Sequence, residues 1–202
     1  MIEFGVARGA GLLALQEYAA LAAREFGLEV DVYGFDLGGG LPDSSDYRDH
    51  PDAWRAGDYP MGDVEALRSR LLPCTHLVLG DVAATVPEFV RNQSCPVGFV
   101  SMDLDLYSST RNALRLFTIA GHNTLPHTPL YFDDTLLPFN HRFAGELLAI
   151  DEFNVESGEV KIDLWRSLVA ETAFPESPWL RAMYLAHDLA VAPKEGTAVN
   201  LL

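Results

Sequence analysis

The stretch "GFVSMDLDLYSST", Gly98 to Thr110, is an apolar run that ends on Asp103 and Asp105 and then turns. The chain repeats the pattern further on. "LYFDD", Leu130 to Asp134, is a second apolar run that closes on Asp133 and Asp134. Four carboxylates at the ends of two strand-like runs repel one another when they come together, so water or a bound cation must compensate them.

Working outward from these two runs, strand-like and helix-like patterns alternate. "IEFGV" (2–6) reads as a strand. It is followed by a turn carrying Gly5, Gly9 and Gly11, and by Leu12, Leu15, Ala19, Ala22 and Phe26 at helical spacing with Gly27 as a stop. "EVDVYGFD" (29–36), "HLVLGD" (76–81), "VGFVSMD" (97–103), "PLYFDD" (129–134), "EVKIDLW" (159–165) and "LRAMYLAHD" (180–188) read as the remaining strands. Asp63 is positioned to cap a helix carrying Val64, Leu67 and Leu71. Further helices are expected over 86–92, after a cap at Ser108 or Ser109, and near 142–150.

This alternation predicts an α/β domain with a mostly parallel sheet covered on both faces. The last two strands have no helical pattern between them and are expected to form an antiparallel edge pair. A single domain spans 1–202, with a turn-rich insertion or lid at about 37–62 and a short C-terminal tail. In such sheets ligands sit beyond the carboxyl ends of the strands, where Asp36, Asp81, Asp103, Asp105, Asp133 and Asp134 all fall.

Composition narrows the function. The net charge is -15 and only Lys161 and Lys194 are lysines, which excludes the basic footprint of a nucleic-acid binder and disfavours an anionic membrane surface. Small neutral or cationic ligands suit the balance better. Cys74 and Cys95 make neither a metal cage nor a disulfide framework, so a reduced, cytoplasmic protein is expected. No basic leader region precedes Glu3, and no apolar run reaches the ~18 residues of a membrane helix.

The glycine turn has the spacing G-x-x-x-G-x-G. It is neither the dinucleotide fingerprint nor a P-loop, which points to a ligand without phosphates. S-adenosylmethionine fits. Asp36 is placed to accept hydrogen bonds from both ribose hydroxyls, and Asp81 to lie beside the adenine. The competing reading is a strand–turn–helix whose glycines serve only tight packing.

"IEFGVARGAG", "YGFDLGGGLP", "GDVAATVPEF", "FVSMDLDLYSST" and "YFDD", in this order, resemble the class I S-adenosylmethionine-dependent methyltransferases, and more narrowly the macrocin O-methyltransferase family. The resemblance covers roughly Ile2 to Phe153, and the D-x-D-x-Y-x-S-T segment followed by Asp-Asp is its most specific part. It implies a Rossmann-like seven-stranded sheet in the order 3-2-1-4-5-7-6. It also implies Mg²⁺ held by Asp103, Asp133 and Asp134, a general base at Asp105, and cofactor contacts from Glu3, Gly5, Gly9, Asp36 and Asp81.

Two departures from the family stand out. The chain begins inside the first strand, where relatives carry a preceding helical segment; a short subfamily, a truncated start or a neighbouring subunit covering the site, as in a homodimer, would each account for it. Residues 37–62 have no assigned counterpart, so the family's sugar substrates do not transfer.

The expected activity is methyl transfer from S-adenosylmethionine to a small hydroxylated acceptor, sugar-like or phenolic. A metal-bound hydroxyl loses its proton more readily, and a free carboxylate takes that proton. Three aspartates for the cation and one for the proton would answer the crowding of four. The alternatives are helix capping by Asp133 or Asp134, a metal-free transferase, and a catalytically degenerate cofactor-binding or assembly protein that keeps the fold. The glycine spacing argues against a nicotinamide oxidoreductase. His141 is a candidate substrate contact or a solvated histidine, and His187 a candidate for the cleft; His122 and His127 are read as structural or exposed. His50 belongs to the 37–62 segment, and Tyr47, Trp54 and Tyr59 in it are placed either to stack on a flat substrate or adenine or to pack locally. Arg111 and Arg115 are read as surface pairs, with Arg111 near enough to the helix start to reach an acidic substrate, and Glu146 as a helix-face carboxylate without a catalytic part.

Overall fold

The computed structural model describes residues 1–191; the C-terminal tail expected from the sequence lies outside the described residues. Seven strands form one sheet: β1 (Ile2–Phe4), β2 (Val32–Asp36), β3 (Thr75–Leu79), β4 (Val100–Met102), β5 (His127–Phe132), β6 (Val160–Leu164) and β7 (Met183–Asp188). Their order is β3-β2-β1-β4-β5-β7-β6, as the resemblance implies. The first five run parallel, and β7 lies antiparallel between β5 and β6. The final pair expected at the edge is therefore present, with β7 inside it. A short helix, α6 (Leu168–Glu171), and a 3-10 turn over Pro178–Ala182 separate β6 from β7, where the sequence showed no helical pattern.

Helices cover both faces. On one face α1 (Ala10–Phe26) and α2 (Val64–Arg68) enclose Val6, Leu12, Ala19, Val32, Met61 and Leu67. On the other, α3 (Val82–Asn92), α4 (Tyr107–Leu114) and α5 (Gly145–Glu156) cover a larger cluster built on Phe4, Phe35, Met102, Leu130 and Phe132. β1 is an interior strand between β2 and β4 and is buried along its whole length, which is why "IEF" carries no alternation.

Local chemistry sets the helix ends. Gly27 closes α1 in the left-handed conformation at φ 66°, its N–H donating to the Ala23 carbonyl. The apolar stripe of α1 nevertheless ends early: Leu12 and Ala19 are buried, while Phe26 is exposed. Asp63 caps α2 by accepting from the Ala66 N–H, as expected. Asp81 caps α3 in the same way, accepting from Ala83 N–H at 2.8 Å, so α3 begins four residues earlier than its apolar pattern suggested. Pro87 sits inside α3 and cannot donate to the Ala83 carbonyl, which accepts from Arg115 Nη1 instead at 3.4 Å.

Phe4 and Phe35, neighbours across β1 and β2, are fully buried with ring centroids 4.9 Å apart. Truncating either leaves a cavity at the centre of the sheet. Phe35→Ala is expected to lower the free energy of unfolding by about 3–5 kcal/mol, and Val155→Ala, at an exposed position, by less than about 0.5 kcal/mol. Equilibrium urea unfolding measures both; equal losses at the two positions would contradict this account of the core.

Candidate active site

The carboxyl ends of the parallel strands open into a cavity of about 710 Å³. Gly5, Asp36, Asp81, Asp103, Asp105, Asp133 and Asp134 line it, together with Trp54 and Tyr59 from the 37–62 segment. Seven of the nine residues expected to form the site thus converge. Glu3 and Gly9 stand behind the cavity wall.

The turn after β1 is built by close backbone approach. Gly5 adopts φ 85°, and a Cβ there would lie 1.7 Å from the Asp103 carbonyl oxygen. Only glycine allows the ends of β1 and β4 to meet so tightly, and the Asp103 N–H donates to the Phe4 carbonyl at 2.9 Å across the same junction. Asp36 Oδ2 accepts from the Val6 and Ala7 N–H groups, each at 2.9 Å, and Oδ1 accepts from Gly38 N–H at 2.5 Å. Asp36 thus holds the turn in shape. A carboxylate accepts about four hydrogen bonds, so its remaining capacity toward the cavity is small.

Glu3 is buried beneath the first turn of α1; a Cβ on Gly11 would fall 1.9 Å from its Oε1. Its Oε2 has no hydrogen-bond partner, and burial, reinforced by Asp103 and Asp36, pushes its pKa up to about 8. Gly9 precedes α1 at φ 85° and makes room for the Leu67 side chain, 2.3 Å from where a Cβ would be, so its place is in the packing of α1 on α2.

Asp103, Asp133 and Asp134 each offer an oxygen within 4.8 Å of the others. Asp103 and Asp133 are open to the cleft and Asp134 is buried. A cluster made only of carboxylate oxygens fits a hard divalent cation such as Mg²⁺. Asp105 stands beside it with φ 59°, a left-handed conformation that L side chains rarely adopt and that marks strain held in place by its surroundings. The Asp105 N–H donates to Asp134 Oδ2 at 3.0 Å. Burial first, and then the neighbouring carboxylates, raise Asp103 to about 7, Asp105 to about 8 and Asp134 to about 6.

Three supports were not visible in the sequence as site residues. Glu146, expected on a helix face, is fully buried in the first turn of α5; its Oε2 accepts from Asp134 N–H at 3.2 Å and its Oε1 has no partner. Burial, with Asp134 and Asp103 adding to it, raises its pKa well above the ordinary range. Its only sequence signal is an acid set among the apolar residues of "AGELLAI". Asn140 donates from Nδ2 to the Asp134 carbonyl. Asp49, buried in the 37–62 segment, accepts from Ser108 N–H at 2.7 Å and Ser108 Oγ at 3.0 Å. Asp49 rather than Ser108 or Ser109 therefore caps α4, and it ties the segment to the D-x-D turn.

Trp54 and Tyr59 line the cavity, and the packing behind them is aromatic too. Trp54 meets Tyr59 and Phe139 edge-on at 6.1 and 5.6 Å, and His50 meets His141 and Phe139 at 5.3 and 5.4 Å. Segment 37–62 thus faces the loop after Asp134 across the cleft. His187 is not there: β7 is antiparallel, so its last residues point to the opposite end of the sheet. Arg111 pairs with Glu156 at 2.9 Å, the surface pair expected, whereas Arg115 serves the α3 carbonyl.

No protein-family model and no curated protein matches the chain in sequence. Solved structures match in form. A crystal structure of CalS11, described as a calicheamicin methyltransferase, superimposes with a TM-score of 0.65 at 24% identity, over 93% of this chain and 71% of that one. Apo CalS11, described as a TDP-rhamnose 3'-O-methyltransferase of calicheamicin biosynthesis, gives 0.54 at 23% identity over the same shares. The O-methyltransferase NovP gives 0.57 at 19% identity, over 77% of this chain and 63% of that one. The chain has the fold of these O-methyltransferases, which is the fold the resemblance implied.

The raised carboxylates make stability depend on pH. Glu3, Asp103, Asp105 and Asp134 bind protons more tightly folded than unfolded, so their favourable contribution is complete below the ordinary carboxylate value of about 4 and is lost as pH rises through about 6 to 8. The melting temperature of the metal-free protein is expected to fall between about pH 5 and pH 8. Mg²⁺ is expected to restore more of it at the upper end than at the lower. A metal-free melting temperature that rises across this interval, measured by calorimetry, would count against the crowded-carboxylate description.

Proposed function

We propose that this protein is an S-adenosylmethionine-dependent O-methyltransferase that acts, with the assistance of Mg²⁺, on a small hydroxylated molecule. The observation that carries the reading is the meeting, in one cleft, of the tight β1 turn with the four aspartates of β4 and β5. Either feature alone has a structural explanation. Together they support the reading of a methyl-donor pocket beside a proton acceptor and a hard-cation cluster.

Methyl transfer to oxygen breaks the bond from the sulfonium sulfur to the methyl carbon, forms a bond from carbon to the acceptor oxygen, and releases a proton. The donor's amino-acid and ribose portions would lie along the turn after β1, which Asp36 shapes, with Asp81 at the adenosine end. Asp105 takes the acceptor's hydroxyl proton; its elevated pKa makes it a better base at neutral pH than an ordinary aspartate. Asp103, Asp133 and Asp134 would hold Mg²⁺, which supplies Lewis acidity toward an acceptor oxyanion. Glu146 and Asn140 hold Asp134 in place from beneath. Trp54 and Tyr59, with Phe139 packed behind Trp54, limit water and orient the acceptor.

The cavity is lined by ten aspartates and, among the described residues, by no Lys, Arg or His. Arg48, adjacent to Asp49 of this wall, is committed to Asp46 at 2.7 Å and to the face of Tyr107. Such a field favours neutral or cationic acceptors and opposes phosphorylated ones. In this respect the acceptor differs from the TDP-sugar named for CalS11.

Calorimetric titration with S-adenosylhomocysteine is expected to give a saturable isotherm, and titration with thymidine diphosphate none. Absence of S-adenosylhomocysteine binding would remove the cofactor assignment, and tight thymidine diphosphate binding would remove the assignment of acceptor charge. Once a screen of unphosphorylated hydroxyl compounds yields an acceptor, Asp105→Asn is expected to lower kcat by roughly 10²–10⁴ with S-adenosylhomocysteine affinity unchanged. A near-normal rate for Asp105→Asn across the pH range would assign the base elsewhere.

A further inference from the structure

Away from the cleft, two histidines face each other across the β5–β7 seam. His127 opens β5 and His187 lies in the last turn of the ladder on β7, directly opposite in the antiparallel register. Their Nδ1 atoms are 3.1 Å apart and their rings are inclined at 70°. β5 runs from His127 toward Asp133, so the pair sits about 20 Å from the carboxylate cluster at ~3.3 Å per residue. His127 is exposed and His187 is half-buried, which leaves the pair accessible from solvent.

This separation is the bite of a chelate. Two Zn–N bonds of about 2.0–2.1 Å that span such a gap meet at roughly 100°, between the tetrahedral and octahedral angles. It also suits an N–H···N bond between a donor ring and an acceptor ring; when a metal ion accepts both Nδ1 lone pairs, the donor ring carries its proton on Nε2 instead. Lys161, paired with His187 on the β6 side, does not bring its charge to the rings: its ammonium donates to the Asn154 and Ser157 carbonyls at 2.8 and 2.6 Å. Burial and the neighbouring His127 hold His187 below its ordinary pKa, so the ring is neutral, the form that ligates metal, at pH 7. The overall charge of -15 raises the local concentration of cations.

We propose that His127 and His187 form a bidentate site for a borderline divalent transition-metal ion of the Zn²⁺ class, with water in the remaining positions. The site is chemically separate from the oxygen cluster in the cleft: imidazole nitrogen selects Zn²⁺, Ni²⁺ or Cu²⁺, and carboxylate oxygen selects Mg²⁺. Because both ligands belong to neighbouring strands, an ion there pins β5 to β7 and stabilises the folded state by its binding free energy. The assignment is independent of the methyltransferase reading.

The test is calorimetric titration of ZnCl₂ into the full chain in excess MgCl₂, which competes for the oxygen cluster. His127→Gln and His187→Gln are titrated alongside, after circular dichroism and melting temperature in EDTA establish that both are folded. Wild type is expected to bind one saturable equivalent that is weakened at least about tenfold in each variant. With Cu²⁺, the electron paramagnetic resonance spectrum is expected to show coupling to two imidazole nitrogens in wild type and fewer in either variant. No Zn²⁺ binding by wild type, or binding that survives in both variants, overturns the proposal. Loss in one variant alone overturns the bidentate geometry.

Discussion

Mutual repulsion among Asp103, Asp105, Asp133 and Asp134 is the constraint around which this structure is organised. Four carboxylates gathered at one end of a sheet do not stay together unless the backbone beneath them is rigid. Rigidity comes from the pairing of β4 with β1 and β5, from the contact at Gly5 that admits no side chain, and from the Asp105 N–H bound to Asp134. The left-handed Asp105 backbone is part of the same arrangement. A residue there with more freedom would swing its carboxylate away from the cluster and relieve the repulsion the fold sustains.

A second layer holds the first. Glu146 and Asn140 approach Asp134 from below and behind, one at its N–H and the other at its carbonyl. Asp49 reaches from the 37–62 segment to the start of α4, so the cavity wall is anchored to the helix that follows the D-x-D turn. The segment is thereby a fixed part of the site, although its sequence reads as turns throughout. The same segment supplies Trp54 and Tyr59, so the shape of the cavity and the geometry of the aspartates are mechanically linked.

Much of this was legible in the sequence because it depends on local pattern. Apolar runs ending in Asp located the end of the sheet where the cavity opens, and alternation of strand and helix predicted the architecture. The sheet order followed from the family resemblance. What escaped was non-local. Asp49 caps a helix 59 residues away, a relation no local pattern carries. Glu146 looks like any acid in the first turn of a helix, a position that normally faces solvent and the helix dipole. His187 was a candidate for the cleft until the antiparallel sense of β7 turned it to the other end. Asp36 at the end of a strand suggests a group free to reach a ligand, whereas three backbone N–H groups claim much of its capacity first.

The placement of β7 between β5 and β6 has a consequence in time. β6 has a single neighbour in the sheet, and that neighbour is made after it. During synthesis the outer edge of β5 and the whole of β6 wait without partners until residues 183–188 emerge. The first five strands can pair as they appear, but this side of the sheet closes only when nearly all of the chain described has been made. The strand ends bearing Asp133 and Asp134 are therefore the last part of the carboxylate site to become rigid, and an exposed β5 edge is the form in which the unfinished protein is most open to mispairing.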